Sequence, residues 1–196
     1  MRAALQWESF MSDHELTQIV SDYIANKRAK AEAERRWFVI QPTLEDAISK
    51  AARAIKPSGK RFGHQRRIPE SVLRQSERAL LDSVPSLQSA RTFEELHRVI
   101  SSTIGDIPGI GELTIYDTAL RIGAKLKLEP AVVFLHAGTQ IGARALGLDG
   151  SLEFIERKSL PREFEPLSPA EIEDVLCIYK DRLSKRKDNK RIRDCN

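Results

Sequence analysis

The sequence predicts an all-α protein. Apolar residues recur at three- and four-residue intervals along most of the chain. Helix N-terminal capping signals stand ahead of several of those stretches, and no well-patterned strand interrupts them. The composition agrees. A chain of 196 residues with 41% hydrophobic content buries a core without disulfides or a structural metal, and 31% charged residues suit solvated helix faces. Cys177 and Cys195 are isolated and form neither a disulfide framework nor a zinc site, so a reducing, cytoplasmic setting is expected. No apolar run has membrane-spanning length and no signal-peptide core is present, so no membrane partner is expected.

Residues 1–11 read as a disordered N-terminal segment, and Met11 ahead of Ser-Asp-His-Glu-Leu reads as an alternative start. Ser12 to Glu15 is a capping box that opens a helix with Leu16, Ile19, Val20, Tyr23 and Ile24 on one face, continuing as a polar helix to near Trp37. Trp-Phe-Val-Ile at 37–40 is the best strand candidate and equally a buried helix end. Thr43 precedes a helix with Leu44, Ala47, Ile48, Ala51 and Ile55 along its apolar face. The segment KPSGKRFGHQRR (56–67) reads as a loop on its Pro and Gly content. Pro69 starts the next helix, and Thr92 to Glu95 is a second capping box opening a helix over 93–104. After a turn, a helix over 112–127 carries the stripe Ile115, Tyr116, Ala119, Leu120, Gly123 and Leu126. Gly138 and Gly142 allow a close helix crossing, within the domain or between subunits. Ser168 to Glu171, with Pro169 at the first helical position, caps the last helix. Residues 12–183 thus read as a single helical domain and 184–196 as a basic disordered tail.

The net charge is only +4, but its distribution is uneven. Between Ala47 and Pro69 stand seven bases, Lys50, Arg53, Lys56, Lys60, Arg61, Arg66 and Arg67, and no acid. Such a patch attracts polyanions even when the whole chain is nearly neutral. Lys60, Arg61, Arg66 and Arg67 suit phosphates, while Phe62 or His64 suits a stacked base. A solvated loop explains the same residues.

The turn between the helices 93–104 and 112–127 reads Ile107-Pro108-Gly109-Ile110-Gly111, then Leu113-Thr114. Glycines just before a helix let a ligand approach backbone N–H groups that lack helical partners, and the positive helix end favours a phosphate. A plain link between packed helices needs no more than the same turn.

This pattern closely resembles the hairpin of helix-hairpin-helix DNA-binding proteins. The resemblance implies a helix-hairpin-helix over 93–127. It also implies that Gly109, Ile110, Gly111, Leu113 and Thr114 form the DNA-binding hairpin, whose amides hold a backbone phosphate. Ile107 and Ile110 would anchor it in the core, and a monovalent or divalent cation would sit at its carbonyls. No other cofactor is expected. Downstream, "AVVFLHAGTQIGARALGL" is similar to the segment that follows the hairpin in the endonuclease III-type DNA glycosylases. The chain departs from that superfamily at two places. Leu113 stands where a catalytic Lys is found, and His136 stands at or near the catalytic Asp.

The expected function is therefore DNA binding through backbone phosphates, as a non-catalytic accessory or architectural protein in a repair-like setting. Two alternatives remain. One is a divergent glycosylase or lyase using Asp117 or His136. The other is a protein-interaction or self-association module with no nucleic-acid binding. His14 and His97 have no partner at metal-ligand spacing, and no metal site is expected.

Overall fold

A computed structural model of the chain describes residues 13–184. The expected N-terminal segment 1–11, the alternative start at Met11, the Ser12 cap and the basic tail from residue 185 onward lie outside the described residues.

Within them the chain is mostly helical. In order come α1 (Asp13–Asn26), α2 (Arg28–Val39), α3 (Leu44–Ala52), α4 (Glu70–Asp82), α5 (Val84–Ser89), α6 (Phe93–Ile104) and α7 (Glu112–Leu126). Then come β1 (Val133–Phe134), α8 (Ala137–Ala145), β2 (Phe154–Ile155), α9 (Pro169–Ile178) and α10 (Lys180–Ser184). None of the described helices is long and apolar enough to cross a membrane.

The sequence predicts one domain over 12–183, whereas the packing divides the chain into two compact units. One comprises residues 28–131. The other joins α1 to the described residues after 131. The expected long first helix is accordingly broken at Lys27. Its N-terminal half buries Leu16, Ile19, Val20 and Tyr23 in one core, and its C-terminal half buries Phe38 in the other unit.

In the unit 28–131, α7 is packed by α2, α3 and α6. The thirteen residues of α4 pack on α3 and α6. Trp37 to Val39 ends α2 rather than forming a strand, and Ile40 follows in the turn. Thr43 caps α3 in a full capping box with Asp46. Thr92 caps α6 by accepting from the Glu95 N–H at 3.1 Å, but the Glu95 carboxylate turns to the Arg91 N–H instead of closing the box. Gly123 lies where α6 crosses α7. A Cβ there would stand 3.3 Å from the Phe93 ring and 2.7 Å from the Leu128 carbonyl.

In the other unit, α8 and α9 cross at the two glycines singled out in the sequence. A Cβ on Gly142 would collide with the Leu176 carbonyl oxygen, and one on Gly138 would lie 2.9 Å from the Cys177 sulfur. The close approach is therefore made within the unit. The Ser168–Glu171 capping box forms as expected. β1 and β2 pair antiparallel, Val133 opposite Ile155 and Phe134 opposite Phe154. No strand is predicted here from the sequence, because two residues are too few to show an alternation.

Candidate nucleic-acid interface

The turn expected to form a hairpin joins α6 to α7 in seven residues. Ile107 and Ile110 are buried and hold it to the core, and the Ile110 N–H donates to the Ile107 carbonyl at 3.0 Å. Gly109 has φ +98°, a left-handed conformation that strains any other residue. The place its Cβ would occupy is 3.7 Å from Val72 in the first turn of α4.

Gly111 is different. It is the N-cap of α7 with φ −116° and ψ 172°, which any residue adopts. A Cβ there would meet nothing within 4 Å. The fold does not need glycine at this position. The cap has no side chain to satisfy an amide, and the N–H groups of Gly111, Glu112 and Leu113 have no protein partner among the described residues. The Thr114 N–H, by contrast, is taken by the Gly111 carbonyl at 2.8 Å. The Thr114 side chain is buried and that of Leu113 half-buried.

The basic run divides into two sets. Arg53 bonds Glu70 at 3.1 Å, and Lys56 lies 3.8 Å from Glu34. Lys50 stands over the Trp37 ring at 5.9 Å. Arg61 pairs with Glu70 and donates to the Ile68 carbonyl at 2.6 Å. The Arg61 hydrogen bond, with Arg53 and Arg74 nearby, holds the Glu70 carboxyl below its usual range. Arg61, expected to take a phosphate, is thus already engaged in closing the loop. Lys60, Arg66 and Arg67 are exposed and make no ion pair among the described residues.

One network ties this loop to α7. Gln65, fully buried, donates to the Asp117 carboxylate at 2.5 Å. The same oxygen accepts from Arg121 at 3.1 Å and lies 3.9 Å from His64 Nδ1. Arg121, itself 7% exposed, stands over the Phe62 ring 4.0 Å from its centroid. Phe62 also stacks on Phe38, so its ring is occupied and is not offered to a base. His64 remains exposed. Asp117 is five residues, or about 7.5 Å of helix rise, beyond Glu112, so the loop lies beside the open N-terminal turn of α7. Asp117, a candidate catalytic residue in the sequence, is here the anchor of the loop. Neither Gln65 nor Arg121 is signalled in the sequence, since a polar residue among cations and an Arg within a helix carry no pattern of their own.

No protein-family model, curated protein or solved structure matches the chain.

The second candidate catalytic residue lies in the other unit. His136 is the N-cap of α8, 3% exposed, with its Nε2 hydrogen-bonded to Glu173, which is also buried. No group of three or more His, Cys, Asp or Glu side chains among the described residues is arranged to hold a metal. Two acids flank Gly109 and Gly111, Asp106 in the turn and Glu112 at the first position of α7, both exposed.

Proposed function

We propose that residues 28–131 bind the phosphate backbone of a nucleic acid, and by the likeness of the hairpin to helix-hairpin-helix proteins that this is DNA. The protein acts as a binding, accessory factor. The open amides of Gly111, Glu112 and Leu113 take one phosphate at the N-terminus of α7. Lys60, Arg66 and Arg67 take others along the adjoining loop.

The observation that carries this reading is Gly111. Its backbone conformation is ordinary and its Cβ would touch nothing, so nothing inside the protein calls for glycine. Bare backbone at a helix N-terminus is what close approach of a phosphate requires, and the loop that packs on the same helix at Asp117 carries three cations without ion pairs among the described residues.

The test is fluorescence anisotropy with labelled duplex DNA at several salt concentrations. Wild type is compared with Gly111→Val and with a Lys60/Arg66/Arg67→Ala triple variant that keeps Arg61. Wild type is expected to bind with a steep salt dependence. The triple variant is expected to lower the slope of log K against log salt by up to about 2.7, at about 0.9 for each phosphate it no longer neutralises. Gly111→Val is expected to weaken binding while leaving thermal unfolding in place. No binding by wild type at low salt would remove the reading and leave the hairpin as a link between α6 and α7.

A further inference from the structure

We infer that the nucleic acid bound at this surface carries an unpaired nucleotide whose base stacks on the His64 ring, while Lys60, Arg66 and Arg67 hold neighbouring phosphates. The inference rests on the phosphate-binding reading of the same loop and adds the form of nucleic acid it takes.

The loop contains two aromatic rings, and their environments differ. Phe62 is covered by Arg121 and stacks against Phe38 with ring centroids 6.3 Å apart. Lys56 Nζ also stands 5.1 Å from its centroid. The His64 side chain is 59% exposed, and no aromatic ring of the described residues stacks on it. Its neighbours in sequence are not free. Phe62 is clamped two residues before it, and Gln65 is fully buried on Asp117 immediately after it. Gly63 between them offers no side chain to cover the ring, and a Cβ there would meet nothing within 4 Å. Asp117 stands on the Nδ1 edge of the imidazole, with Arg121 behind that carboxylate.

An exposed ring on a clamped loop is ordered before any ligand arrives, so little conformational freedom is lost on stacking. The ring shares its loop with three exposed cations that make no ion pair among the described residues, which is the combination that single-stranded nucleic acid engages through bases and phosphates together. Bases inside a continuous duplex stack on one another and hide their faces. Only an unpaired base, as in a gap, a flap or a single strand, offers a face to His64.

The experiment uses the full chain and three labelled DNAs of equal length: a continuous duplex, the same duplex with a short gap, and a single strand. 2-Aminopurine in the gap reports stacking. Wild type is expected to prefer the gapped duplex over the continuous one by about tenfold, the worth of one stacked base. 2-Aminopurine fluorescence should be quenched on binding. His64→Ala should abolish the preference and the quenching without changing duplex affinity, and His64→Phe should retain both. Equal affinity of wild type for gapped and continuous duplex, or a preference that survives His64→Ala, overturns the inference. In those cases duplex binding that falls in the Lys60/Arg66/Arg67→Ala variant keeps the phosphate-binding reading. Absence of binding to all three DNAs removes both.

Discussion

One oxygen of Asp117 accepts hydrogen bonds from Gln65 and Arg121, and the guanidinium of Arg121 is almost wholly withdrawn from water. Burial pushes the Arg121 pKa down, and the Asp117 charge opposes that shift. Removing one partner of such a pair leaves a charge without compensation, whereas replacing both with apolar groups is often near neutral. Asp117→Ala is therefore expected to destabilise the protein by about 3 kcal/mol in urea unfolding. Asp117→Ala with Arg121→Met should restore most of that stability. At Gly111 the expectation is the reverse. Because nothing meets the Cβ position, Gly111→Val should change stability by less than about 1 kcal/mol while weakening DNA binding.

The loop between α3 and α4 and the turn between α6 and α7 form the candidate surface, and charge decides how well it serves. Glu112 suits the positive end of α7 but repels a phosphate there. Glu112→Gln should tighten DNA binding at low salt, an effect that fades as salt rises, measured by anisotropy at matched protein concentrations. The loop is closed by Arg61 and Glu70. Glu70 has its folded pKa below the ordinary 4.5, so this closure contributes fully above that value and is lost as pH falls through the folded pKa. Backbone amide shifts of residues 61–68 should move as pH is lowered through that window. In Glu70→Gln they should start displaced and stay unresponsive.

The unit that joins α1 to the C-terminal half is closed by hydrogen bonds between distant parts of the chain. The Tyr23 hydroxyl donates to Asp174 at 2.8 Å, and the Tyr179 hydroxyl donates to Asp22 at 2.5 Å. Burial first, and then the bond to Asp22, push the Tyr179 pKa up to about 12 from its ordinary 10.0. A raised folded value means that this stabilisation is whole below pH 10 and is lost as pH climbs toward about 12. Thermal melts of wild type and Tyr179→Phe should therefore differ most below pH 10 and converge above it. In the same unit, His136 and Glu173 form a buried pair joining α8 to α9. Glu173→Leu is expected to cost about 1–3 kcal/mol, since it removes a buried hydrogen-bond partner of the imidazole, as read by denaturant unfolding.

Caps and apolar stripes were legible because they act between residues three or four apart. Thr43, Thr92 and Ser168 start helices where the sequence places them, and α6 and α7 follow their periodicity. The same locality explains why the seven-base run was visible and its internal division was not. Whether Arg61 meets a phosphate or Glu70 depends on how the loop folds back onto the start of α4, and whether Phe62 or His64 is left open depends on Arg121 and Asp117, more than fifty residues away in sequence. The break at Lys27, the pairing of α1 with the C-terminal helices and the burial of Gln65 are likewise long-range. Local composition determined the helices, the turn and the sign of the charge. Tertiary packing alone decided which polar groups neutralise one another and which remain facing water, because that depends on neighbours brought together only when the chain folds.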